Sequence, residues 1–307
     1  MTTPRLIYLL ASLLLTGAPS QAADNNTAPN ITTINIPSRV INEASALTRS
    51  HRSDQVLWTL NDSGSDATIH ALSTEGELLG TATLTGPGVI NQDWEDMASF
   101  TRNEKHFMLI GDVGDNFAWR PNITLYLIEE PALPAQADAA QALIAPVLHT
   151  FRVQLPNGPR DIEAIAVDPD ENAAYLISKR DNRPTLYRIS LAHAEAESVT
   201  ELVASDLGEI SIPRADRNNH FFNWVTAMDF SESGRWAYVG TLGQGYRYAR
   251  APGQSWQAAL LEAPQGFLQP KLRQIEGGCF DLRDDQQLFV ISENLPAKMA
   301  RIKWPTP

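Results

Sequence analysis

Four glutamates and one threonine open five copies of one short pattern: Glu43, Glu95, Glu163, Glu276 and Thr226. Each starts a short apolar run, followed by a polar turn, a second apolar run and a polar cluster. The clusters are Asn61-Asp62, Asp112 with Asp115 and Asn116, Lys179 to Asn182, Gly240-Thr241, and Ser292 to Asn294. Paired as an antiparallel hairpin, two such runs place the start of the first beside the end of the second. The openings and the clusters then converge on one place. Carboxylates held together raise one another's pKa or demand a cation, and carboxylate with neutral oxygen suits a hard cation such as calcium. On this reading Glu43, Glu95, Glu163 and Glu276 ligate a calcium ion. Asn61, Asp62, Asp112, Asp115, Asn116, Arg180 and Asn294 surround it as ligand-binding residues. The plainer alternative is that the glutamates cap backbone amides between neighbouring sheets, and that the Asn and Asp residues serve turns.

The loop Gly111-Asp-Val-Gly-Asp-Asn116 is the most specific local sequence. It suits a second cation or a backbone anion nest, and it lacks the acidic spacing of an EF-hand loop. Arg160, Lys179, Arg180, Arg183 and Arg273 fall near the same convergence, as ligand contacts or as ion pairs between sheets. No Gly-x-Ser-x-Gly and no His-Glu-x-x-His occurs, so a nucleophile elbow and that zinc hydrolase class are unsupported. The six histidines show no paired metal spacing. Phe221, Phe222 and Trp224 form an aromatic cluster before the fourth copy. Core packing is its expected role, with Trp224 the one placed to face a ligand.

The elements that must position these residues follow from the repeat itself. The five openings are 52, 68, 63 and 50 residues apart, room for four strands of about five residues each with their turns. A third strand follows each hairpin. Fourth strands are expected at Glu77 to Leu84, Val147 to Val153, Ser198 to Ala204 and Trp256 to Leu261. The fifth copy runs out of chain, and the strand-like run Ile31 to Ile36 completes it. Radial arrays of four-stranded sheets are β-propellers. The expected fold is therefore an all-β propeller of five four-stranded blades closed by the N-terminal strand, a sixth degenerate blade between Ile189 and Trp224 being the alternative. Residues 134–146 are the only helix-compatible stretch, expected as an inserted loop.

The first 22 residues read as a signal peptide: Arg5, the apolar run Leu6 to Leu15, and small residues at Ser20 and Ala22. Ten apolar residues are too few to span a bilayer, which takes about 20. Residues 23–307 are expected as one exported domain, periplasmic or secreted. The chain has 24 basic and 36 acidic residues and one cysteine. That balance disfavours nucleic acid and anionic membranes as partners. Cys279, in an apolar run, is expected as a core thiol.

The segments Asn42-Glu-Ala-Ser-Ala-Leu47, Leu57-Trp-Thr-Leu-Asn-Asp-Ser-Gly64, Asp93-Trp-Glu-Asp-Met97 and Gly111-Asp-Val-Gly-Asp-Asn116 resemble those of a widespread group of exported bacterial propellers. The likeness covers most of the first three copies. More distantly the chain resembles the SdiA-regulated (YjiK-like) propellers and the esterase-like phytases. A ring of channel oxygens is also similar to the five-bladed calcium-activated nucleotidases, whose longer signature segments are missing here. These resemblances imply the propeller fold and a calcium ion at the channel mouth.

Two functions fit. One is an extracytoplasmic ligand-binding or scaffold module with calcium at the channel mouth. The other is a metal-dependent phosphoric-ester hydrolase, in which Glu95 or Glu163 serves as general base and the arginines hold phosphate oxygens.

Overall fold

The computed structural model describes residues 28–134, 142–192, 199–213, 219–293 and 295–305. The expected signal segment and Asn294 lie outside the described residues. No helix among them is long and apolar enough to cross a membrane.

The strands follow the repeat. After β1 (Asn30–Asn35), the first unit is β2 (Ala44–Arg49), β3 (Val56–Asn61), β4 (Thr68–Ser73) and β5 (Leu78–Thr85). The second is β6 (Trp94–Arg102), β7 (Lys105–Asp112), β8 (Ile123–Glu129) and β9 (Ala142–Gln154). The third is β10 (Ile162–Asp168), β11 (Ala173–Ser178) and β12 (Thr185–Ser190), followed by β13 (Val199–Val203) and β14 (Ser205–Glu209). The fourth is β15 (Val225–Phe230), β16 (Trp236–Thr241) and β17 (Gly245–Ala249), then the helix α1 (Trp256–Leu261) and β18 (Gln265–Phe267). The last is β19 (Ile275–Phe280), β20 (Gln287–Ser292) and β21 (Lys298–Lys303). Each unit is an antiparallel meander. The N-terminal strand β1 pairs with β21, Asn30 opposite Lys303 and Asn35 opposite Lys298, and so completes the last sheet as expected.

The first strands pack side by side in a cycle: β2 on β6, β6 on β10, β10 on β15, β15 on β19 and β19 on β2. Five hydrophobic clusters fill the gaps, one between each neighbouring pair of units. A sheet covered on both faces needs near-continuous apolar strands. That is why β2, β3, β10, β11, β15 and β19 are buried along their whole length. The result is a β-propeller.

Three outer elements depart from expectation. Residues 199–203 do not complete the third sheet: β13 pairs parallel with β9, and β14 takes the fourth place beside β12. Trp256 to Leu261 is a helix, capped by the Ser255 hydroxyl accepting from the Ala258 amide. Trp256, Ala259 and Leu260 form its buried stripe at helical spacing, and β18 supplies the outer strand instead. Within 134–146, the part from Ala142 onward is the start of β9, which pairs parallel with β5 before turning to β8. That shared strand joins the first two units into one nine-stranded sheet. Outer strands carry little apolar pattern because solvent takes one face, so sequence specifies them weakly.

Candidate metal centre at the channel mouth

Every first strand carries a β-bulge at its second residue. In β2 the pairing steps from Ala44↔Asn61 to Ala46↔Leu60, leaving Ser45 without a partner. The unpaired residues of the other four are Glu95, Glu163, Thr226 and Glu276. A bulge re-aims the side chain of the extra residue, and all five of these residues are buried at the mouth. The two hydroxyls bridge units: Ser45 Oγ donates to the Trp94 carbonyl (2.9 Å) and Thr226 Oγ1 to the Ile275 carbonyl (2.8 Å). At the other three positions a carboxylate replaces the hydroxyl.

Two residues before each bulge, a backbone carbonyl accepts from the amide that follows the second strand. These pairs are Glu43 with Asp62 (2.8 Å), Asp93 with Val113 (3.1 Å), Asp161 with Lys179 (3.0 Å), Trp224 with Leu242 (3.1 Å) and Gln274 with Glu293 (2.9 Å). The mouth thus has three layers of equivalent positions. Glu43 belongs to the outer layer with Asp93 and Asp161, and Ser45, not Glu43, is the counterpart of Glu95. Glu43 is exposed.

The carboxylates divide into two sets. On one side, the Lys179 ammonium is buried at 7% exposure and forms an ion pair with Glu163. Burial lowers the lysine's pKa, but Glu163, Glu276 and Glu95 together more than offset this and raise it. Glu276, pushed up to about 7 by burial, is held partly in check by the same ammonium. Arg180 Nε pairs with Asp161 Oδ2 at 2.5 Å.

On the other side, Asp62, Asp93 and Glu95 bring one carboxylate oxygen each to within 4.8 Å of one another, the only such group of metal-binding side chains among the described residues. Glu95 is pushed well above its ordinary value by burial, then by Glu163, Asp62 and Asp93, against the opposing Lys179. Asp93 is raised to about 6 by burial and by Asp62, Asp161 and Asp112, against Arg120. The Gly114 backbone lies directly under this pair. A Cβ there would meet Asp93 Oδ2 and Glu95 Oε1 at 2.5 Å each, so a larger residue would displace these two carboxylates.

The remaining expected ligand residues sit around this centre in supporting positions. Asn61 Oδ1 accepts from the Asn42 and Glu43 amides (3.2 and 3.3 Å) and its Nδ2 donates to the Val40 carbonyl, pinning the entry to β2. Asp112 receives the Asp93 amide (3.3 Å) and pairs with Arg120 (2.8 Å). Asp115 accepts the Trp119 and Arg120 amides (2.9 and 2.7 Å), closing a turn over the residues that follow it. Asn116 accepts from Arg180, whose guanidinium stacks over Trp224 at 4.2 Å. Asp93 is the residue whose role sequence reasoning missed, whereas Lys179, expected near the mouth as a ligand contact or an ion pair, pairs with Glu163. The signal was present: Asp93 and Asp161 each stand two residues before a ring glutamate.

Phe221 and Phe222 are not core residues: both are 40% exposed on the short turn ahead of β15. Cys279 is fully buried and free, as expected.

No protein-family model matches the chain, and no curated protein matches it. Solved structures do resemble it. The PQQ-bound aldose sugar dehydrogenase of Streptomyces coelicolor aligns over 90% of this chain and 98% of its own, at 10% identity and a TM-score of 0.50. A luciferin-regenerating enzyme aligns over 89% and 95%, at 11% identity and 0.48. A gluconolactonase of Xanthomonas campestris aligns over 85% and 72%, at 11% identity and 0.45. At such identity the likeness is one of fold, and by fold this chain is a β-propeller.

Proposed function

We propose that this propeller is an extracytoplasmic binding module that holds one divalent cation, calcium, on Asp62, Asp93 and Glu95. One observation carries the reading. The pair Asp161 and Glu163 occupies the same positions in the third unit as Asp93 and Glu95 do in the second. There the chain supplies its own cations, Arg180 on Asp161 and Lys179 on Glu163. At Asp93 and Glu95 the nearest guanidinium, Arg120, is spent on Asp112 and on the Gly114 carbonyl. The molecule thus neutralises one carboxylate pair internally and leaves its counterpart, joined by Asp62, for an ion from solution. Three carboxylates and open positions toward solvent suit calcium, which takes 6–8 oxygens and tolerates irregular geometry. A cation there would lower the pKa values that burial and crowding raise.

The hydrolase alternative is less well supported. Arg120, Lys179 and Arg180, cations of this mouth, are all bonded to carboxylates and are not free to hold a phosphoryl group.

Calorimetric titration with calcium tests the proposal. One equivalent should bind to the unaltered protein. Asp93→Asn and Glu95→Gln should lose the binding, whereas Glu163→Gln, on the side served by Lys179, should keep it. Equal affinity in all variants would remove the assignment.

A further inference from the structure

The connections at the two ends of the propeller differ in kind. Those at the mouth carry exposed large apolar side chains, among them Phe117 (71% exposed), Trp119 (76%) and Leu268 (78%). Those at the opposite end carry none among the described residues apart from Leu261 at the end of α1. Isolated exposed apolar residues are ordinary, but a one-sided contiguous group marks a binding face.

The aromatic members form two groups, joined through Asn116 and Arg180. Phe117 stacks on Trp119 at 4.8 Å. Asn116, beside Phe117, accepts from Arg180, and Arg180 lies over Trp224. Trp224 contacts Phe221 at 5.1 Å, and Phe221 contacts Phe222 at 5.9 Å. A ledge of five aromatic rings bound together through Arg180 therefore runs along loops of the second to fourth units. It is held in place: Asp115 fixes the Trp119 and Arg120 amides, and Asn219 caps the turn that bears Phe221. A crevice lined by Arg180, Asn182, Pro184, Ile212, His220 and Trp224 opens into it. The ledge borders the acidic mouth directly, since the Lys179 ammonium is 6.0 Å from the Trp224 ring.

We infer that the mouth face docks a protein partner through a segment that sets a lysine or arginine among aromatic or aliphatic residues. Tryptophan, phenylalanine and arginine in a rigid, creviced patch are the side chains that dominate protein interfaces. Charge fixes the sign of the partner. Asp62, Asp93, Glu95, Glu43 and Glu293 make no ion pair with a basic side chain among the described residues, whereas Arg120, Lys179 and Arg180 are each paired with a carboxylate, so the unpaired charge beside the ledge is negative. A second copy of this chain would present the same acidic face and be repelled. The inference therefore stands apart from the calcium reading.

Selection from a random linear peptide library against the full-length protein, run once with calcium and once with chelator, tests it. The expected result is enrichment of peptides with a basic residue beside apolar ones, bound more weakly as salt rises. Trp119→Ser and Phe221→Ser should each weaken a synthesised winner about tenfold with unchanged melting temperature, because both side chains are exposed. Arg102→Ala, at the opposite end, should have no effect. Absence of basic–apolar enrichment would overturn the inference. So would binding insensitive to the ledge variants, or a glycan array showing that the ledge binds neutral oligosaccharides instead.

Discussion

Asp93 illustrates how the mouth couples charge to stability. Its folded pKa of about 6 lies above the ordinary 3.8, and that of Glu276, about 7, lies above 4.5. A carboxyl with a raised folded pKa binds its proton more tightly in the native state. Its stabilising contribution is complete below the unfolded pKa and is lost as pH rises through the folded one. Without a cation the protein should therefore lose stability between about pH 4 and pH 7 through these groups. A bound ion reverses the preference for Asp93 by favouring its ionised form. The gap in melting temperature between calcium and chelator should be small at about pH 5 and larger at about pH 7.5. Scanning calorimetry at both pH values checks this, and a gap that shrinks with rising pH would contradict it. Lys179 gives a second test at this scale. Lys179→Met leaves Glu163 and Glu276 buried without their counter-ion. The expected cost is about 3–5 kcal/mol by urea unfolding, the magnitude for breaking a buried pair.

Among the elements, β1 carries the closure of the ring. Its partner β21 would otherwise be an open edge, and exposed edges recruit other chains. Ile34 and Ile36 anchor this segment in the cluster between the last and first units, at 7% and 1% exposure. Ile36→Ala should cost about 2–5 kcal/mol, as for other buried large-to-small changes. Deleting residues 30–35 should lower the melting temperature further and produce oligomers on size-exclusion chromatography. A monomer of unchanged stability would show that the last sheet holds without it. The closure was legible in the sequence because the fifth copy lacked a strand and Ile31 to Ile36 had no other partner. Helix α1 was not. The run from Trp256 to Leu261 is too short for periodicity to separate helix from strand, and the Ser255 cap together with the packing of Trp256 against Phe230 at 3.8 Å decided it.

Across the whole molecule, one buried ion pair ties opposite sides of the channel. Arg49 at the end of β2 meets Asp229 of β15 at 2.7 Å, and Asp229 also receives the Phe280 amide of β19 at 2.8 Å. Burial raises Asp229 to about 6, opposed by the guanidinium. Asp229→Ala should destabilise by about 3–5 kcal/mol because it removes the buried partner of Arg49 and leaves only the part-exposed Glu232 at 3.4 Å. The double change Arg49→Met with Asp229→Leu should recover part of that loss, since a buried pair is seldom better than apolar packing of similar volume. A double variant as unstable as the single one would show that the hydrogen bonds to Phe280 and Phe230, not the charge pairing, carry the effect.

The repeat, the all-β class, the closing strand and the gathering of carboxylates at one end follow from the sequence alone. Apolar runs of strand length, returning every 50 to 68 residues with polar ends, have few other ways to bury themselves. The identity of the ring did not follow. A bulge adds one residue to a strand without disturbing its apolar pattern. Counting from the acidic openings therefore aligned Glu43 with Glu95, whereas the pairing aligns Ser45 with it. The partition of charge was equally hidden. The chain places Lys179 at the mouth as a ligand contact or an ion pair, and the register of the β10–β11 hairpin is what sets its ammonium on Glu163 and leaves Asp62, Asp93 and Glu95 without an ion pair of their own. Local sequence sets which residues reach the mouth, but the balance of charge there also depends on units distant in the chain, such as Lys179 with Glu95 and Glu276, and tertiary structure alone brings those together.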